Sequence, residues 1–205
     1  ELARGDYIWI AEADDLAAPD FLSTVMRGFE APGVVLSYCE SAQIDGDGNP
    51  LAADYRYYTN GVSKGKWDHD YVASGRAEIE HALFLKNTIL NASAVVMRAD
   101  ALRTVFDQHR EEIEGLRFAG DWAVYLNLLA KGDIAYSALS KNYHRRHQSS
   151  VTISNFNDLQ LQEIIAMQKK ARGLIIPDPK RDHRTDAYIA ELERQFGLKP
   201  GAARA

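Results

Sequence analysis

The chain has a single cysteine, Cys39, among its 205 residues, so it forms no intrachain disulfide and offers no zinc-type cysteine spacing. This fits a reducing compartment. No apolar run approaches the roughly 20 residues that span a bilayer. Basic residues are not in excess: 24 Lys and Arg stand against 29 Asp and Glu, a net charge of -5. A duplex-binding face is normally basic, so nucleic acid is not an expected partner. Nor is there a repeat or a low-complexity tract. The first residue is Glu1, close to a strand, so the chain is expected to be a piece of a longer protein.

Hydrophobic residues make up 46% and charged residues 26%, the balance of a folded domain rather than a disordered one. Residues 6–11 are apolar on both sides of an extended chain, which predicts a strand covered on both faces. Pro19 opens a helix over 20–29, with Phe21, Leu22, Val25 and Phe29 on one stripe. A second buried strand follows at 34–39. Strand, helix and strand in this spacing predict an α/β unit. The segment "IDGDGNPL" is a tight turn. Read as a calcium loop from Asp45, it has Pro50 where glycine is required and Arg56 where glutamate is required, so that reading fails.

Residues 55–75 hold four tyrosines and Trp67 with no clear period, a long connection that is either functional or a satellite cluster. Helices are expected over 77–86, 100–110, 121–131, 158–170 and 185–196, and a strand at "ASAVVMR". Gly132 is expected to terminate the 121–131 helix. "DIAYSAL" and "KNYHRRH" read as short strands, or a strand and a loop. The last residues read as a linker.

Three groups of side chains can carry chemistry. Glu12, Asp14 and Asp15 end the first strand. Carboxylates this close repel unless a cation shares them, and magnesium or manganese takes such oxygens together with phosphates and water. Equally, the acids could charge the first turn of the following helix. Asp121 is either the N-cap of its helix or a general base aimed from it. His144, Arg145, Arg146 and His147 either meet phosphate oxygens or form a basic edge strand.

The order of these groups resembles the glycosyltransferases of sequence family two, inverting enzymes with the GT-A fold. The family pattern "G-D-Y-I-x-x-x-D-x-D-D" then "P-x-x-L" is matched by Gly5 to Asp15 and Pro19 to Leu22, with Glu12 in place of the first aspartate. "N-x-S-x-V-x-x-R" is matched by Asn91, Ser93, Val95 or Val96, and Arg98. "G-D-W" is matched by Gly120, Asp121 and Trp122. "G-x-I-x-Y … N-Y-x-R-R-H-x-x-S-V-T" is matched by Gly132, Ile134, Tyr136, Asn142, Tyr143, Arg145, Arg146, His147, Ser150, Val151 and Thr152.

The resemblance implies an α/β fold: a partial GT-A mixed sheet flanked by helices and lacking the first strands. It implies a catalytic portion over 1–152 and a helical extension and linker over 153–205. The implied activity is transfer of a sugar from a nucleotide-diphosphate donor to the hydroxyl of a glycan or other acceptor, in polysaccharide synthesis. Asp121 would be the base, with Asp14 and Asp15 as ligands of a magnesium or manganese ion and Glu12 on the donor ribose or the metal. Arg145, Arg146 and His147 would meet the donor diphosphate, with Trp122 and Trp67 on the acceptor side. The implied place is the cytoplasm, at the inner face of the membrane. Two rival classes are an inactive fragment or degenerate transferase domain that acts as a binding module, and a metal-dependent nucleotidyltransferase. The latter does not require the "G-D-W" and "N-Y-x-R-R-H" segments in this order.

Overall fold

Alternation of apolar residues along the central strands dictates two cores, one on each face of a mixed sheet. The computed structural model describes residues 3–146, 156–199 and 201. In chain order the elements are β1 (Tyr7–Trp9), β2 (Leu16–Ala17), α1 (Phe21–Met26, continued by a 3-10 turn, Arg27–Glu30), β3 (Val34–Ile44), β4 (Pro50–Ala52) and α2 (Arg56–Thr59). They are followed by β5 (Tyr71–Ser74), α3 (Gly75–Glu78), β6 (Val95–Arg98), α4 (Ala99–Glu114), α5 (Gly120–Leu129), β7 (Asp133–Arg145), α6 (Asp158–Gly173) and α7 (Pro179–Phe196). The sheet order is β1-β6-β3-β7-β2. β3 and β7 run parallel and the other pairs antiparallel. β3 takes one edge of β7 along its length, and β5 and β2 divide the other edge between them.

Leu36, Tyr38, Val95, Met97, Ile134 and Tyr136 face the larger core with α4, α5 and the turn Ile79–Leu83 that follows α3. Their neighbours Cys39, Val96 and Ala135 point to the other face, where Phe21, Val25 and Phe29 of α1 and its 3-10 turn cover them. This is the period-2 division expected of a sheet sandwiched between helices. α6 adds Met167 and Ala171 to the larger core. The helical extension expected after residue 152 is therefore packed onto the sheet domain, and the expected division itself falls outside the described residues. No helix among the described residues is long and apolar enough to cross a membrane.

Several local expectations change. β1 is three residues at the sheet edge with one partner strand, so Trp9 and Ile10 remain partly exposed instead of covered on both faces. Residues 77–86 are not one helix: α3 passes into a π turn, Ile79–Leu83. The segment 133–145 is one continuous strand. α7 starts well before residue 185, because Pro179 sits at its first turn and the Asp178 carboxylate accepts from the Lys180 amide. The turn at 45–49 is the expected hairpin, with Gly48 at φ 91°.

Gly132 is not the left-handed terminator it was expected to be. α5 ends at Ala130 in right-handed geometry, and a β carbon on Gly132 would strike the Val35 side chain. Gly75 is tighter still, since a β carbon there would fall on the carbonyl oxygens of Leu129 and Gly132. Backbone cannot yield as a side chain can. Gly75→Ala is therefore expected to lower stability by about 1–3 kcal/mol in denaturant unfolding, whereas Gly46→Ala, at an open position, has little effect.

Candidate active site

The acid turn is built by a buried polar frame. Asp15 accepts from the Asn91 side-chain amide at 2.7 Å through one oxygen and from the Arg145 backbone amide at 2.8 Å through the other. Asn91 also donates to the Asn142 side-chain oxygen at 2.8 Å, and the Ser41 hydroxyl donates to that same oxygen at 2.9 Å. Asn91, Asn142 and Ser41 are all buried. Side chains from the acid turn, β3, the segment before β6 and the end of β7 thus meet at one point. Ser93 extends the frame: its hydroxyl accepts from the Glu12 amide and its carbonyl accepts from the Trp9 indole.

This changes the roles expected of two residues. Asp15 accepts an N–H at each carboxylate oxygen and is less exposed than Glu12 and Asp14, so it holds the turn in place. Arg145 spends its Nε on the Asp14 carbonyl at 2.6 Å and its Nη1 on the carbonyls of Asp45 and Gly46 at 2.9 Å. It ties the acid turn to the β3–β4 hairpin, and these donors do not point to a diphosphate. The alternative in which the acids charge a helix also fails: β2 intervenes, and the first turn of α1 holds no acid.

Glu12 and Asp14 remain exposed at this turn. Neighbouring protein partly desolvates the Glu12 carboxylate and raises its pKa, and the charges of Asp15 and Asp14 raise it further. A cation beside it would relieve that repulsion. Among the described residues, no three His, Cys, Asp or Glu side chains come together as a metal centre. A magnesium ion that takes one or two carboxylates and completes its shell with phosphate and water does not require three. Glu12 and Asp14 fit that donor set.

A cleft of about 950 Å³ opens beside this frame. Asp121 lies in its wall, at the first turn of α5. It is not the N-cap: Ala119 holds that place, and Asp121 accepts from the next residue's amide, Trp122, at 2.7 Å. Its other oxygen accepts from the Asn87 side chain at 2.9 Å. Burial pushes its pKa up to about 6; the two hydrogen bonds oppose the shift and the Glu12 charge adds to it. The acid turn and the cleft carboxylate therefore feel each other electrostatically.

The approach to α5 is fixed from the C-terminal half. Glu163 of α6 accepts from three successive backbone amides, Arg117, Phe118 and Ala119, at 2.7–2.8 Å. Trp122 lines the cleft, while its indole donates to the Leu83 carbonyl. Arg146 and His144 also line it. The Tyr55 hydroxyl joins them, 2.6 Å from His144 Nδ1 and 3.4 Å from Arg146 Nη1.

Trp67 is a correction: it is 1% exposed, donates to the Tyr38 hydroxyl, and belongs to the core rather than the acceptor side. The reason is the chain's own path, since β5 carries the 55–75 connection back onto the sheet. His147, Ser150, Val151 and Thr152 lie outside the described residues. Asn87 and Glu163 were not foreseen; neither has a local pattern that announces a partner so distant in sequence.

Asn91→Ala would leave Asp15 and Asn142 each short of a donor beneath the acid turn. It is expected to cost about 1–3 kcal/mol for the buried partner left unpaired, read as a lower denaturation midpoint at unchanged slope. Compared with known proteins, the chain matches no family model and no curated protein.

Proposed function

We propose that the chain carries the metal-diphosphate and acceptor half of a GT-A glycosyltransferase of family two, which transfers a sugar from a nucleotide-diphosphate donor to a hydroxyl with inversion. The observation that carries this reading is the Asp121 carboxylate. It is held by Asn87 in the wall of a large cleft, with its pKa raised to about 6, close to the pH at which a general base works best. The sequence order described above supplies the rest of the support.

In this reading the acceptor hydroxyl binds beside Asp121 and gives up its proton to the carboxylate as its oxygen attacks the anomeric carbon. The bond from that carbon to the diphosphate oxygen breaks on the opposite side, which accounts for inversion. Asn87 is a positioning residue, fixing the carboxylate through one oxygen and leaving lone pairs for the incoming proton. Arg146, in the cleft wall, replaces Arg145 as the cation for the departing phosphate. Glu12 and Asp14 would hold a magnesium or manganese ion, which when bound neutralises charge on the leaving diphosphate. Asp15 and Arg145 keep that turn in place.

Loss of general-base help typically costs about 10²–10⁴-fold. Asp121→Asn in the complete protein is expected to lose sugar transfer by that factor while its circular dichroism and melting stay those of a folded protein. Near-normal turnover in this variant would remove the assignment. Because the base must be ionised, kcat/KM is expected to rise with pH through about 6 and to be lost below it. Asn87→Ala removes a hydrogen bond that lowers the Asp121 pKa, so this midpoint moves to higher pH.

A further inference from the structure

Lys86 enters the same cleft and has no part in the chemistry described above. It directly precedes Asn87, the residue that holds Asp121. Its ammonium lies 3.4 Å from the Tyr58 ring centre and 5.7 Å from that of Tyr188 on α7, and it donates to the Tyr58 carbonyl at 3.1 Å. An ammonium has three N–H donors, and one carbonyl uses one of them. Burial brings the Lys86 pKa down to about 8, an effect that the Glu191 charge only opposes. A half-buried cation held against aromatic rings in this way gains from an incoming anion.

The surroundings favour the same ligand sign. Lys86, Arg146, Arg184 and Arg194 line the cleft against the two carboxylates Asp121 and Glu191, in a chain whose net charge is -5. Local excess of one sign in a concave site raises the concentration of the opposite charge there. Tyr57, also on the cleft wall, is 69% exposed, and its ring lies 6.0 Å from that of Tyr55. An open aromatic face in the same cleft as these cations suits a sugar ring that bears an acidic group.

We propose that the acceptor is an anionic glycan, its carboxylate or phosphate bound by Lys86 and a sugar ring laid on Tyr57. The identity of the ligand as an acceptor rests on the sugar-transfer reading; the anion site itself does not. Since Lys86 and Asn87 are consecutive and Asn87 touches Asp121, an acceptor anchored at Lys86 has its hydroxyls in the cleft that holds the base. A lysine that merely fastened the Tyr58 carbonyl would show no preference between charged and neutral ligands.

The test is calorimetric titration of the complete protein, without donor, with three oligosaccharides of equal length: one neutral, one bearing a hexuronate and one bearing a phosphate. At least one anionic ligand is expected to bind about tenfold or more tightly than the neutral one, as a hydrogen bond to a charged group allows. The arm that gains identifies carboxylate or phosphate. Lys86→Met should bring the anionic ligands down to the neutral affinity, Lys86→Arg should keep the preference, and salt should weaken it in the wild type. Equal binding of all three ligands, a preference that survives Lys86→Met, or no binding of any ligand overturns the proposal. Should Lys86→Met fail to fold, Lys86→Gln and the wild-type salt dependence give the same decision. Transfer assays on the same ligands separate the two readings. Anion-selective binding without transfer keeps the site and removes the transferase. Transfer to neutral and anionic acceptors alike keeps the transferase and removes the site.

Discussion

The buried side-chain oxygen of Asn142 is the point on which the arrangement of the site depends. It accepts from Asn91 and from Ser41, and through Asn91 it is joined to Asp15. Each such bond contributes only about 1 kcal/mol net, but a partner left unpaired in the interior costs more than that. The four segments that meet there, the acid turn, β3, the segment before β6 and the end of β7, therefore keep their register together. β2 is only two residues long and could not hold the acid turn by ladder bonds alone. Polar contacts make up for what the short strand cannot supply.

A second constraint acts on the cleft. Glu163 meets three consecutive backbone amides just ahead of α5, and this sets where the helix begins and so where Asp121 is aimed. A carboxylate meeting several amides is among the stronger uncrosslinked tethers available to a loop. It also makes α6 part of the site's construction. Asp121 itself is held by weaker means, and burial outweighs its two hydrogen bonds in setting its affinity for a proton. A carboxylate stabilised any further would be a poorer base.

Much of the sheet was legible in the sequence because apolar runs and glycine-rich turns speak for themselves: the first half of β3, the hairpin after it and β6 lie where those signals put them. So do most of α5 and α6. The acid turn and Asp121 stood out as charge set against apolar runs. Two of the residues that fix them did not: Asn87 and Glu163 act through contacts across tens of residues, and no local pattern encodes such a contact. Arg145 and Trp67 mislead for the same reason. A guanidinium drawn in by loop carbonyls and an indole folded under its own connection look, in one dimension, like a phosphate ligand and a sugar platform.

The proposed chemistry turns on one carboxylate that titrates near neutrality instead of well below it, as a surface aspartate does. Carbon-13 NMR titration of the Asp121 carboxyl, assigned by comparison with Asp121→Asn, measures this directly. A midpoint at about 6 is the predicted result. A midpoint near the ordinary aspartate value of about 4 would mean that the cleft does not tune this group, and would contradict its assignment as the base.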